Sequence, residues 1–157
     1  MKKSKIFSIC TICAAALGLI FWLFLSGASR SESGASVKAT GMAIIFGGKA
    51  SASYGGMSMD IDAFKFSFVL FIGFIAAIAG IVMAVLNLVG KQNKIFTIIA
   101  ICCFVVAALF CFLTKTCAVV KEGGSLDELN LGIGAILGGI LFIGAAVTST
   151  LPICIKD

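Results

Sequence analysis

The most reactive side chains in this sequence are seven cysteines: Cys10, Cys13, Cys102, Cys103, Cys111, Cys117 and Cys154. A metal site or redox pair needs thiolates grouped with further donors, or a base that draws off the thiol proton. Cys10 and Cys13 have C-x2-C spacing, but no second such pair accompanies them and the chain holds no His. Six of the seven lie in long uncharged runs, where a thiol acts as a small apolar filler. Cys117 is the exception, and is the candidate for a disulfide or for a cross-link between two subunits. Cys111 lies six residues earlier; a helix would set the two about 9 Å apart, too far to bridge unless it has ended between them. Asp60 and Asp62 could hold a cation weakly, but with Lys65 beside them they read as a solvated charge cluster. There is no Ser/His/Asp or Cys/His set, no H-E-x-x-H and no phosphate-binding loop. No enzyme is expected, no metal or other cofactor, and no small-molecule substrate is identified.

The elements that hold these residues follow from composition. The chain is 61% hydrophobic and 12% charged, with a mean hydropathy of +1.18. A soluble domain is about 45–50% apolar and about 25% charged, so a water-soluble globule is excluded, as is a disordered chain. Four apolar runs stand out, at residues 6–25, 66–89, 95–114 and 131–155. About 20 residues of helix cross the roughly 30 Å of bilayer hydrocarbon. In lipid an isolated apolar run can pair its backbone only as a helix. The expected fold is an all-α membrane protein: one four-span domain over residues 1–157, a four-helix transmembrane bundle with a small extracytoplasmic β-element in the first outer loop. The first run follows a basic start and resembles a signal peptide. At 20 residues it exceeds the usual apolar region of about 7–15 and closes on bulky residues, so it is read as a retained anchor. Residues 25–28 look like the front of a lipoprotein box, but Ser29 stands where the acylated cysteine belongs.

Charge sets the expected orientation. With both termini cytoplasmic, the inner side carries Lys2, Lys3, Lys5, Lys91, Lys94 and Lys156 against Asp157 alone, and the outer side has six basic and six acidic residues. The inner connection, residues 90–94, packs two lysines into five residues. The basic excess is a cytoplasmic-leaflet signal; no basic cluster interleaves with stacking aromatics, so no nucleic-acid partner is expected. The plasma membrane is the expected location.

The first outer loop, residues 26–65, opens with a Ser/Gly/Ala stretch over 26–36 that reads as a flexible linker. Residues 37–46 then alternate as a strand, Gly47 and Gly48 suit a hairpin turn, residues 50–54 return, and Gly55 and Gly56 turn into a third strand over 57–61. The predicted β-meander rests on the helix ends. The alternatives are an irregular glycine-rich loop, or residues 42–46 dipping into the interface. In the second outer loop, residues 115–130, Ser125 with Asp127 and Glu128 forms an N-cap signature, so the fourth helix is expected to begin near Leu126.

No Asp, Glu, Lys or Arg interrupts the four runs, which argues against a proton-coupled transporter, pump or voltage sensor. The hydroxyls and amides inside them (Ser8, Thr11, Ser67, Asn87, Thr97, Thr148, Ser149 and Thr150) are expected to bond their own or a neighbouring helix. Small residues form stripes at helical spacing: Gly73, Ala77, Gly80 and Ala84 in the second run, Ala100, Cys103, Ala107 and Cys111 in the third, Gly134 and Gly138 in the fourth, Ala14 and Gly18 in the first. Such stripes let helices approach closely where lipid offers no hydrophobic force. They serve packing within one bundle, and the glycine-rich fourth helix suggests a partner face besides.

Four runs, inner termini and a longer first outer loop with strand texture resemble the claudin-type tetraspan layout. The likeness is one of topology: the Trp and paired cysteines of that family's first outer loop have no counterpart in residues 26–65. The expected function is a non-enzymatic scaffold or accessory subunit. Its partners are the lipid bilayer and itself or another membrane protein, met through small-residue helix faces. The alternative is a small pore or channel lined by hydroxyls and glycine backbone; the second alternative is an immunity-type protein against a membrane-active peptide.

Overall fold

The computed structural model describes residues 3–32, 34–90, 93–121 and 130–154. Among these the order is α1 (Lys3–Phe24), β1 (Ser26–Glu32), β2 (Ala35–Thr40), α2 (Gly41–Phe46), β3 (Gly48–Tyr54), β4 (Met57–Lys65), α3 (Phe68–Val89), α4 (Lys94–Phe112), α5 (Thr114–Cys117), β5 (Val119–Val120), β6 (Asn130–Leu131) and α6 (Ile133–Cys154). The four long helices, α1, α3, α4 and α6, are each long and apolar enough to cross a membrane.

Local chemistry fixes where α3 and α4 start. The Ser67 hydroxyl caps α3 by accepting from the Leu70 N–H at 3.4 Å, and the Asn93 side chain caps α4 by accepting from the Ile95 N–H at 3.2 Å. Between these helices the Asn87 carbonyl oxygen accepts from the Asn93 N–H at 3.2 Å, tying the turn to the last turn of α3. The long helices form an antiparallel ring in which α1 packs on α6, α6 on α4, α4 on α3 and α3 on α1. Trp22 meets Phe142 edge-on at 6.4 Å, and Phe142 stacks on Phe104 at 6.4 Å; all three are fully buried. The remaining buried positions on the long helices are mostly small, among them Ala15, Ala77, Ala100, Ala107, Ala135 and Ala145. Large apolar side chains point outward instead, including Ile20, Ile75, Ile98, Leu109, Ile140 and Val147.

At the end of the bundle where α1 finishes and α3 starts, a curled sheet runs in the order β5-β4-β3-β2-β1-β6, with every pair antiparallel. It departs from the sequence reading in four places. Residues 26–32 are strand β1 rather than a flexible linker, paired with β2 on one side and β6 on the other. Backbone pairing does not need large side chains, and small ones are required here: a Cβ on Gly27 would lie 2.9 Å from Ile44 Cδ1 and 3.0 Å from Gly41 Cα. Residues 41–46 are helix α2 rather than the second half of a strand. Thr40 caps it by accepting from the Ala43 N–H at 3.3 Å, and the helical turn brings Gly41, Ile44 and Ile45 to one buried side, which alternation would have split. Gly47 therefore closes a helix, at φ +79°, instead of opening a two-residue hairpin. The segment between α4 and α6 adds β5 to β4 and β6 to β1. Because Asn130 and Leu131 are strand, α6 begins at Ile133 and not near Leu126; the cap signature at residues 125–128 lies outside the described residues, as does Lys91. The turn at Gly55 and Gly56 forms as expected, with φ of +57° and +87° at its two residues.

Candidate functional site

Four places were singled out by the sequence: the small-residue stripes, the cysteines, the paired aspartates and the in-span polar groups. Gly73, Ala77, Gly80 and Ala84 all lie on the buried side of α3. A Cβ on Gly73 would stand 2.5 Å from Phe110, and one on Gly80 2.7 Å from the Phe104 ring, so this stripe seats aromatic side chains of α4. A Cβ on Gly134 would stand 2.6 Å from the Phe21 carbonyl oxygen and one on Gly138 3.0 Å from the Gly18 carbonyl oxygen, so these glycines let α6 lie close on α1. A Cβ on the neighbouring Gly139 would stand 2.7 Å from the Phe112 ring of α4, while one on Gly144 would meet nothing within 4 Å. The glycines of α6 thus serve two neighbours within the chain.

Cys10, Cys13 and Cys102 are exposed on the flanks of their helices, Cys111 is buried, and Cys103 and Cys117 are half-buried; all six are free thiols. Cys117 lies in α5, where its carbonyl accepts from the Ser67 hydroxyl at 2.7 Å. Among the described residues no three His, Cys, Asp or Glu side chains group as metal ligands. Asp60 and Asp62 lie on β4 opposite Ser51 and Lys49, and Asp60 accepts from the Ser51 hydroxyl at 3.2 Å.

Of the polar groups named within the apolar runs, Ser67 lies at the sheet end as the cap of α3, and a cluster of the others gathers at the opposite end of the bundle. Ser8, Thr11, Asn87, Thr97 and Ser149, with Ala84 and Ala100, line a cavity of about 10 Å³, roughly the room of one water molecule. All four long helices contribute a polar side chain. Asn87 donates to the Thr97 hydroxyl at 2.8 Å, and the Thr11 and Thr148 hydroxyls share a hydrogen bond of 2.8 Å between α1 and α6. Thr97 and Ser149 each donate to the carbonyl four residues back, Asn93 at 3.3 Å and Ala145 at 2.8 Å. Their protons are thus used within their own helices, and what they turn toward the cavity is oxygen lone pairs. At the opposite end the Trp22 indole N–H donates to the Thr114 hydroxyl at 3.0 Å, which donates in turn to the Phe110 carbonyl at 3.0 Å.

The sheet supplies a surface that the sequence reading did not single out. Register puts Met57 beside Tyr54, Met59 beside Ala52 and Ile61 beside Ala50, and continues across β2 through Ala35 and Val37. The other side carries Ser58, Asp60 and Asp62 against Ser53, Ser51 and Lys49. One face is therefore apolar and the other polar. Near the bundle the apolar face is buried, with Ala28, Ala39 and Ala50 covered. Toward the tip it is open: Tyr54 is 72% exposed, Met57 79%, Met59 69% and Ile61 50%. The alternation of Met57, Met59 and Ile61 with Ser58, Asp60 and Asp62 is the sequence signal that could have revealed it. No protein-family model matches the chain, and no curated protein matches its sequence.

Proposed function

We propose that this chain is a non-enzymatic integral membrane protein, a scaffold or accessory subunit that crosses the plasma membrane four times and holds its sheet outside the cell as a binding surface. The observation that carries the membrane reading is the reversed packing of the long helices. Alanine and glycine fill the contacts between them, and Ile, Val and Leu side chains line their outside. In water each such exposed side chain would forgo about 1.5–3 kcal/mol of burial, whereas in hydrocarbon it loses nothing. The start of α1, the end of α6 and Lys94 at the start of α4 fall at one end, the end that the lysine count assigns to the cytoplasm.

The scaffold reading shifts from the helix faces to the sheet. Of the glycines inside the long helices all but Gly144 already face neighbours within the chain, and Tyr54, Met57, Met59 and Ile61 stand uncovered toward the sheet's tip. A path through one copy finds little support, because Trp22, Phe104 and Phe142 fill the space between the four helices. The test has two parts. Carbonate washing should leave the chain in the membrane fraction, and a membrane-impermeant maleimide applied to whole cells should label Ser58→Cys above the level of the unmodified chain and leave Lys94→Cys at that level. A photo-crosslinking residue at position 59 should then capture protein in intact membranes, where one at 58 does not. Release by carbonate refutes the membrane reading, and equal or absent capture refutes the binding surface.

A further inference from the structure

We infer that the open half of the sheet's apolar face packs against the same face of a second copy of this chain, the two anchored side by side in one bilayer; this rests on the membrane reading above. An apolar sheet face needs a second layer over it. Within the chain that layer is α2, six residues and about 9 Å long, lying under a sheet whose strand β4 has nine residues and runs about 30 Å. The covered part ends at Ala39 and Ala50, and Tyr54, Met57, Met59 and Ile61 continue beyond it. At 50–79% exposure these four side chains present on the order of 500 Å² per copy. Two copies face to face would bury about 1,000 Å², the lower bound for a specific interface.

Charge and geometry both favour a second copy as the occupant. Arg30, a charged position that register places on this face opposite Val37, stands on β1. That is three strands from Met59, or about 14 Å. The patch around β4 can therefore meet its own image without opposing like charges. Anchoring also holds every copy the same way up, so a two-fold axis along the membrane normal brings two such faces together as a sandwich with sheets about 10 Å apart.

The test uses the full chain purified in liposomes. A short bis-maleimide should join Met59→Cys into a dimer and leave Ser58→Cys, one residue along on the polar face, at the level of the unmodified chain. Single-molecule photobleaching should give two steps for the unmodified chain and one for Met57→Asp with Met59→Asp. These exposed positions do not bear on the bundle, which unchanged circular dichroism would verify. Single-step bleaching of the unmodified chain overturns the proposal, as does a dimer that survives the aspartates or joins equally through either face. Adducts with another protein in cell membranes, without any at dimer mass, overturn it too. Loss of the chain from carbonate-washed membranes would instead refute the membrane reading.

Discussion

Replacing glycines of α6 one at a time by alanine should separate close packing from mere helix composition. The added methyl is the same at each position, and what it meets differs. At Gly134 it would stand 2.6 Å from the Phe21 carbonyl oxygen and 2.6 Å from Leu25 Cβ, atoms that move only if α1 moves. Overpacking of that kind costs about 1–3 kcal/mol. At Gly138 the nearest atoms are the Gly18 carbonyl at 3.0 Å and Trp22 Cβ at 3.1 Å, so a shift of a few tenths of an ångström suffices and the loss should be under about 1 kcal/mol. At Gly139 the nearest atom, 2.7 Å away, is the far end of the Phe112 ring, which can swing aside, again for a small loss. At Gly144 nothing lies within 4 Å, and alanine's better helix propensity should stabilise by up to about 1 kcal/mol. Reversible unfolding in mixed micelles with rising dodecyl sulfate reads this order, since 1.4 kcal/mol is about tenfold in the equilibrium constant. If Gly144→Ala destabilises as much as Gly134→Ala, the helix contacts drawn from these distances are wrong.

Thr114→Val leaves the buried Trp22 N–H without its acceptor and should cost about 1–3 kcal/mol. Trp22 is the only tryptophan, so its emission spectrum should shift in the variant and reports the change directly. Asn87→Leu removes the bonds to Thr97 and to the Asn93 N–H; amide exchange at Asn93 and Ile95 should quicken while that of the α3 centre stays slow. Gly41→Ala puts a methyl onto the Trp22 carbonyl oxygen and should disrupt the seat of α2, seen as a loss of protease resistance confined to residues 41–47. At the hairpin tip Gly56→Val forces a branched side chain to φ +87°. It should loosen the pairing of Tyr54 with Met57 by about 1–2 kcal/mol, whereas Gly55→Asn should be neutral.

The four long helices were legible because a period-free uncharged run leaves the backbone one way to pair. The partners of the small stripes were not: Gly134 and Gly73 have the same appearance in sequence, yet one meets the α1 backbone and the other a phenyl ring on α4. The segment between α1 and α3 was half legible. Its Gly55 and Gly56 turn and the strands beside it follow from alternation, but residues 41–46 alternate just as well and form a helix, because the capping Thr40 and the need to bury Ile44 with Ile45 outweigh β-propensity. Strands β1, β5 and β6 carry little signal: β1 is mostly Ser, Gly and Ala, and the other two are two-residue pairings made by distant neighbours. The polar cavity was visible as a set of residue types and not as a place. Asn87 and Thr97 flank one short turn, but only the ring of helices brings Thr11 to Thr148.

The strands that finish the sheet's two sides come last in the chain. Four strands are complete by Lys65, and the last outer one ends at Leu131, 66 residues later. At about 5–20 residues per second a ribosome takes about 3–13 s over that interval. For those seconds the bundle-side ends of the nascent strands, Ala28 and Ser29 on β1 and Phe64 and Lys65 on β4, lack their partners and are open to strand exchange or to capture by a chaperone. A ribosome stalled between α4 and α6 would leave them so, which makes this stretch of translation the time when the growing chain is most prone to aggregate.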